Sequence, residues 1–252
     1  MKNWLVVIFL AALLSGCASN NNLVTQPADR ADQVNALVRL GMGYIRNGDY
    51  ARAKDNLNHA LELDSRSAKA HDGLALVFQL EREFDEAEKQ FKLALRYDSK
   101  FTRARNNYGA FLFSQGRYKE AINQLTIAAK DQFYDGRPTV FENLGISYQK
   151  LGDDKDAESA FVRSVALNPR QPRALLELAE IRYGQKQYAA ARNLYARYER
   201  VAKDNARSLL LCVQLARVFT DNNREASCAL ALKNIYPASP EYKEYQQTFG
   251  SK

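Results

Sequence analysis

The sequence predicts an all-α protein, built as a solenoid of about six stacked helical hairpins. Apolar residues recur at spacings of three and four, which is the period of an amphipathic helix and excludes alternating strands. Similar segments also return at a fixed step of 34 residues, as they do in repeat proteins. With 46% hydrophobic and 26% charged residues, the 252-residue chain has the composition of a globular protein.

The first sixteen residues form a separate segment. Lys2 gives a positive start, and Trp4 to Leu14 is an uninterrupted apolar run of eleven residues. Such a run is too short for a stable transmembrane helix but has the length of a signal-peptide core. We therefore expect residues 1–16 to be a lipoprotein signal peptide that is absent from the mature protein.

The segment Leu14-Ser15-Gly16-Cys17 resembles a bacterial lipobox. The resemblance implies that Cys17 becomes the mature N-terminus and carries several acyl chains, which anchor a protein stably where one chain would not. The alternative is an ordinary cleaved signal with a chance cysteine. No Asp follows Cys17, so the best-known inner-membrane retention signal is missing. The resemblance thus implies an outer-membrane lipoprotein that faces the periplasm.

Residues 17–33 are polar, lack a helical period and are expected to form a flexible tether. The full chain has 36 Lys and Arg residues and 29 Asp and Glu residues. Removal of the signal peptide removes Lys2, so the mature chain would carry a net charge of +6. These basic residues are spread among acidic ones without a basic block. We therefore predict a solvated helical surface and no nucleic-acid binding.

The repeated segments combine small and large residues at fixed positions. Leu40-Gly41, Leu74-Ala75 and Tyr108-Gly109 begin 34 residues apart. Small residues let the two helices of a hairpin approach closely, and large residues fill the gap to the next hairpin. No hairpin could bury its apolar face alone, so neighbours must share one elongated core. Alanines keep the same step at Ala53, Ala87 and Ala121, and again at Ala60, Ala94 and Ala128.

This pattern resembles the tetratricopeptide repeat, a helical hairpin of about 34 residues, along about residues 34–205. The resemblance implies a right-handed superhelix whose first helices line a concave face. A two-residue insertion near Gly136-Arg137 shifts the register once. The predicted units are 34–67, 68–101, 102–135, 138–171 and 172–205, followed by a degenerate sixth unit with a C-terminal cap at 206–249.

The sixth unit carries both cysteines that remain besides Cys17. Cys212 lies about ten residues before the predicted turn near Asn222, and Cys228 lies about six residues after it. At 1.5 Å per residue, the unequal arms leave an axial offset of about 6 Å. A disulfide requires Cα atoms within about 7 Å, and the expected compartment is oxidising. The spacing is compatible both with a disulfide and with two buried thiols.

No motif in the sequence indicates catalysis. A glycine-rich phosphate loop, a paired metal-ligand motif and a nucleophile elbow are all missing. His59 falls on a predicted solvent face, and His71 falls at a packing position where we expect a hydrogen-bonded histidine. We predict no enzyme activity, no catalytic residue, no metal, no cofactor and no small-molecule substrate.

The tetratricopeptide resemblance also places certain first-helix residues in the concave groove. An apolar stripe exposed there would mark an interaction site, suited to an apolar or amphipathic segment of another protein. A register shifted by one residue would instead put these side chains in the core. The predicted groove residues are Val38, Met42, Ile45, Leu76, Leu80, Phe113 and Ile146.

Longer strings carry a more specific resemblance. The strings 106–112, 141–145 and 205–211, taken with the lipobox, resemble the type IV pilus biogenesis/stability family of pilotins. The family implies a scaffold that binds the type IV pilus secretin and promotes its outer-membrane localisation and multimerisation, as pilus biogenesis and twitching motility require. An alternative with the same anchor and solenoid is a general outer-membrane adaptor that organises cell-wall enzymes or envelope assembly factors.

Overall fold

The computed structural model describes residues 27–249, with side chains from residue 29 onward. The predicted signal peptide, the lipobox with Cys17 and residues 18–26 lie outside this range. The prediction of an all-α repeat fold is confirmed, because thirteen α-helices and no strand make up the regular structure of the described residues. The helices are α1 (Pro27–Arg46), α2 (Tyr50–Leu63), α3 (Ala68–Leu80), α4 (Phe84–Tyr97), α5 (Thr102–Ser114), α6 (Tyr118–Ala128), α7 (Arg137–Leu151), α8 (Asp154–Leu167), α9 (Pro172–Gly184), α10 (Tyr188–Glu199), α11 (Ala206–Val218), α12 (Asn222–Ile235) and α13 (Pro240–Phe249).

Consecutive helices pair into six hairpins, from α1/α2 to α11/α12. Each first helix packs most closely on the second helix of its own hairpin, and that second helix packs on the next first helix. First helices also approach one another along the stack, α1 with α3, α3 with α5, α5 with α7 and α9 with α11. This closer approach makes the first helices the inner layer of the solenoid.

Helix α1 is longer than the sequence predicted. Residues 27–33, which we expected in the tether, form its first two turns, so that boundary is wrong. Pro27 suits the first helical position because its missing N–H needs no partner there, and Asp29 places a negative charge in the first turn. Residues 27–33 show no apolar period in the sequence, because the first buried residue of α1 is Val34.

Small residues set the distance between helices, as the sequence pattern predicted. A Cβ atom added at Gly41 would lie 2.7 Å from Cγ of Leu57, and one at Gly73 in the next hairpin would lie 2.7 Å from Cδ2 of the same leucine. Leu57 is fully buried. One large second-helix side chain therefore packs between two first helices that have no side chain at the contact.

The turn inside each hairpin requires one residue with left-handed backbone geometry. Gly48, Gly116 and Gly152 take this position in the first, third and fourth hairpins, where glycine has no steric penalty. The other three hairpins use residues with a side chain, namely Arg82 (φ 66°), Lys186 (φ 61°) and Thr220 (φ 53°).

The sixth hairpin is closed by a covalent bond and by a terminal helix. Cys212 on α11 and Cys228 on α12 form a disulfide, with Cα atoms 6.1 Å apart. Helix α13 contacts α11 and α12, and its Tyr242 and Tyr245 pack against the cluster of Leu209, Leu210 and Leu232. The apolar end of the stack is therefore covered.

Candidate functional site

The predicted groove residues are not a uniform exposed stripe. Val38 and Ile146 are only 5% and 6% exposed, so they cannot line an open groove, and this part of the prediction is wrong. Val38 belongs to one core cluster with Leu74 and Val77 of α3, so the adjacent first helix covers a side chain that the general repeat pattern would leave open. Leu80, in contrast, is 50% exposed. Met42, Ile45, Leu76 and Phe113 are partly buried and pack against the core.

A different apolar surface lies open on the outer side of α1, where the stack begins. A shallow depression there is lined by Ala36, Arg39, Leu40, Gly43, Tyr44 and Asn47. Its apolar residues Ala36, Leu40, Gly43 and Tyr44 are separated by four, three and one positions along the helix, so they share one face. Leu40 at its centre is 54% exposed.

The 34-residue step shows why this face is open. Residues that match Leu40 in later hairpins are all buried, each beneath the hairpin that precedes it in the stack. In the described chain no hairpin precedes α1, so the same packing surface faces solvent there. This open face was missed in the sequence, although its signal is simple: the first repeat of a stack has no neighbour on one side. The matching buried residues are Leu74, Tyr108, Leu144, Leu178 and Cys212.

Further along the stack, the first helices are joined by buried polar groups. Asp72 on α3 is 0% exposed and accepts hydrogen bonds from Arg103 Nε (3.2 Å) and Asn107 Nδ2 (3.0 Å) on α5. Burial raises the pKa of Asp72, and the two donors partly offset that rise. The next pair of first helices is joined by Asn143 Nδ2, which donates to Asn106 Oδ1 at 3.2 Å.

The last two hairpins are joined by an arginine held between two glutamates. Arg207 on α11 donates to both carboxylate oxygens of Glu177 at 2.9 and 3.0 Å and to Glu180 Oε1 at 3.2 Å. Burial alone would raise the pKa of Glu177, but hydrogen bonds from Arg207 outweigh it and the pKa is lowered. The inner layer is thus polar and internally satisfied here, in contrast to the open apolar face of α1.

Both histidines lie where the sequence placed them. His59 is exposed. His71 is 7% exposed, and its ring nitrogens lie 2.6 Å from Gln90 Oε1 and 3.2 Å from the Ser65 carbonyl oxygen. Its ring also stacks on Tyr97. His71 therefore has the packed, hydrogen-bonded role that was expected for it.

No group of three or more His, Cys, Asp or Glu side chains in residues 27–249 is arranged to hold a metal ion. Within the same range, no helix combines the length and the apolar character that crossing a membrane demands.

Comparison with protein families identifies the repeat. Tetratricopeptide-repeat patterns match residues 34–67, 79–133 and 143–206. Together these segments cover more than half of the chain. The resemblance inferred from the 34-residue step is confirmed.

Comparison with individual proteins is more specific. The chain is 41% identical to the type IV pilus assembly protein PilF of Pseudomonas aeruginosa over 243 residues, which is 96% of each protein. The solved structure of Pseudomonas aeruginosa PilF superposes with a TM-score of 0.85 at 42% identity, over 86% of this chain and 98% of that one. The crystal structure of PilW, a widely conserved type IV pilus biogenesis factor, gives a TM-score of 0.71 at 28% identity, over 84% and 97% of the two chains. The chain therefore belongs to the tetratricopeptide-repeat family and, within it, to the group of PilF and PilW.

Proposed function

We propose that this protein acts in type IV pilus biogenesis as a non-enzymatic, lipid-anchored scaffold of the outer membrane, a pilotin. In this role it binds the pilus secretin and promotes its localisation and multimerisation. The identity to PilF over almost the whole chain supports the role in pilus biogenesis. The observation that carries the binding role is the open apolar face of α1 around Leu40.

The α1 face suits one kind of ligand. At each later hairpin the equivalent face is covered by a second helix of the preceding unit. An amphipathic segment of the secretin would occupy the same place at α1, with its apolar side on Leu40 and Tyr44. Because the face is apolar and ready-formed, such a segment needs no rearrangement of the stack. We propose that Met42, Ile45, Leu76, Leu80 and Phe113 extend this surface along the inner layer.

The decisive experiment places a charge on the α1 face. Leu40→Glu should abolish secretin multimers in the outer membrane, because binding would bury an unpaired carboxylate. The melting temperature should hardly change, since Leu40 is 54% exposed and Glu is a good helix former. Leu230→Glu is the matched control, because Leu230 on α12 is 58% exposed and lies at the other end of the stack.

The outcomes separate the candidate functions. Normal secretin multimers with Leu40→Glu would contradict the binding role of this face. Normal pili together with altered cell-wall turnover in a deletion strain would instead select the general adaptor.

The anchor is tested independently at Cys17. Cys17→Ser should yield a protein that lacks acyl chains and leaves the outer-membrane fraction, because those chains supply the attachment. Mass spectrometry of the N-terminal peptide and membrane flotation measure the two effects. An unmodified Cys17 in the wild-type protein would overturn this part of the proposal.

A further inference from the structure

One edge of the solenoid gathers the loops that lead from each hairpin to the next, and we call it the loop edge. It comprises residues 64–67, 98–101, 129–136, 168–171 and 200–205, with the first turns of the first helices that follow. Two neighbouring loops are joined directly, because Thr102 Oγ1 donates to Asp131 at 2.6 Å. All five loops lie at the same edge because each one links a second helix to the next first helix.

The first turns of the helices that begin at the loop edge contain basic residues, although the first turn of a helix usually contains acidic ones. The first helices from α3 to α11 have no acidic residue in the first turn, although the helix dipole favours one there. Four of the second helices, which start at the opposite edge, do carry acidic residues in the first turn. Helix stability does not explain this difference. The first turns at the loop edge instead contain Lys69, Arg103, Arg137, Arg173 and Arg207.

Many cations of the loop edge have no acidic partner. Arg103 and Arg207 are engaged by Asp72 and by Glu177 with Glu180. Within residues 29–249, however, eight other exposed basic side chains of this edge form no ion pair within 4 Å. They are Arg66, Lys69, Lys100, Lys130, Arg170, Arg173, Arg200 and Lys203. The edge also carries five acidic residues, Asp64, Asp98, Asp131, Asp135 and Asp204, so its net charge is positive.

The loop edge also carries the most exposed large apolar side chain of the described chain. Phe133 is 97% exposed and lies in the connection that contains the two-residue insertion. The loop is held in place, because Asp131 accepts from the Phe133 backbone N–H at 3.0 Å and Arg137 Nε donates to the Ala129 carbonyl oxygen at 2.9 Å. Its neighbours Gln132 and Asp135 are polar. A single aromatic side chain, presented by an ordered loop within a polar, basic surface, suits a lipid interface better than an extended protein contact.

The chain also enters the fold at this edge. Arg30 and Ala31, near the start of α1, line one cavity with Arg66, Lys69 and Tyr97 of the first two loops and their flanking helices. Cys17 is ten residues before Pro27, so even a fully extended segment holds Cys17 within about 35 Å of the loop edge. An acyl anchor at Cys17 would therefore keep this edge within about 35 Å of the bilayer.

We propose that the loop edge lies against an anionic phospholipid surface, with Phe133 inserted at the interface and the unpaired cations over the head groups. The orientation in the cell rests on the proposed acyl anchor. Surface binding itself depends on the edge alone. The proposal gives the scaffold a fixed orientation, in which the inner layer and the α1 face take no part in the membrane contact and stay free for protein.

The test can be made independent of acylation in cells. The chain from Cys17 to Lys252 contains every described residue. It has no tryptophan, since the single one is Trp4, and its one free thiol is Cys17, because the disulfide occupies the other two cysteines. Cys17 is coupled to a maleimide lipid in vesicles, and Phe133→Trp supplies a unique fluorophore. Leu80→Trp is the matched control, because Leu80 is an exposed residue at the opposite edge.

On phosphatidylglycerol vesicles the emission of the tryptophan at position 133 should shift to the blue and be quenched by brominated lipids. On phosphatidylcholine vesicles the tryptophan at position 133 should show neither the shift nor the quenching. The tryptophan at position 80 should show neither change on vesicles of either lipid. Absence of quenching at position 133 with phosphatidylglycerol, or equal quenching at both positions, would overturn the proposal. Neither result depends on secretin binding or on natural acylation of Cys17.

A second measurement tests the charges with the untethered chain. Each Lys or Arg beside an anionic surface contributes about 1 kcal/mol, so Arg170→Gln should weaken binding to phosphatidylglycerol vesicles about five-fold. Arg52→Gln is the control, because Arg52 is exposed at the opposite edge and pairs with Asp49. Equal binding of wild type and Arg170→Gln would show that the cations of this edge do not contact the lipid.

Discussion

At the scale of single residues, the closest contacts of the stack are made where a glycine faces a large side chain. A Cβ at Gly145 would lie 2.5 Å from Cε1 of Phe161, which is fully buried. The aromatic ring is enclosed by the core and cannot move away as an exposed side chain would. The packing against Phe161 therefore requires glycine at position 145, and helix propensity does not explain the choice of residue.

Gly145→Ala should lower the free energy of unfolding by about 1–2 kcal/mol, because overpacking costs about 1–3 kcal/mol and the better helix propensity of Ala returns up to about 1 kcal/mol. Gly184→Ala is the matched control, since nothing lies within 4 Å of a Cβ at Gly184. Denaturant unfolding measures both. Equal stability of the two variants would show that the Phe161 contact has no energetic weight.

Glu88 is the residue whose titration should be visible in stability. Hydrogen bonds from Arg117, with weaker ones from Lys92 and Tyr108, outweigh burial and lower the pKa of Glu88 from 4.5 to about 2. A lowered carboxyl pKa stabilises the fold in full only where the group is ionised in the unfolded chain as well, and in part down to the pKa of the folded state. The stabilisation is therefore complete above pH 4.5 and is lost as the pH falls through about 2.

Glu88→Gln should lower the free energy of unfolding by about 1–2 kcal/mol at neutral pH. The difference from wild type should shrink as the pH falls from 4.5 and vanish near 2. Denaturant unfolding at several pH values measures it. Glu62→Gln, an exposed position on α2, controls for the loss of one negative charge. A difference that stays constant across this range would contradict the prediction.

At the scale of helices and turns, the sequence located elements well and their ends less well. The turns with Gly48 and Gly116 could be predicted because glycine marks the left-handed residue directly. Thr220 occupies the same backbone position with φ 53° and carries no such signal. The start of α1 was missed for a related reason, since its first two turns bury little and so have no apolar period.

Thr220→Gly should raise the free energy of unfolding by about 1 kcal/mol, because a residue with Cβ in the left-handed region is strained by about 1–2 kcal/mol. The reverse change, Gly152→Ala, should destabilise by a similar amount, and open space around Gly152 excludes a packing effect. Thermal melting of the two variants provides the measurement. A destabilised Thr220→Gly would show that the threonine hydroxyl, which donates to the Phe219 carbonyl oxygen, outweighs backbone strain.

At the scale of the whole molecule, the 34-residue step predicted the stack but not its exposed surfaces. Periodicity reports which residues face a neighbouring helix, and this is a local property. Exposure depends on whether that neighbour is present and how close it lies. Val38 is buried and Leu40 exposed for that reason, although the general repeat pattern indicates the opposite. The binding surface therefore required the assembled structure.

The two ends of the stack should differ in stability. An end unit of a repeat protein has one neighbour and frays first. The sixth hairpin is also held by α13 and by the Cys212–Cys228 disulfide, which spans 16 residues of sequence and contributes about 3 kcal/mol in the chain-entropy model. Amide hydrogen exchange measured by mass spectrometry should be faster in α1 and α2 than in α11 and α12. Reduction of the disulfide should bring the exchange rates of the two ends closer together. Equal exchange rates at the two ends of the oxidised protein would contradict this prediction.

The terminal helix also limits how copies of the protein can associate. A stack with two open ends would join head to tail, since the face of α1 would fit the bare end of another copy, and repeated joining gives filaments without a fixed length. Because Tyr242 and Tyr245 of α13 cover Leu209 and Leu210, the apolar surface left open at the far end is reduced to single side chains of α12 such as Leu230 and Ile235. The terminal helix thus opposes head-to-tail joining of copies at high concentration on a membrane and favours occupation of the α1 face by a different protein.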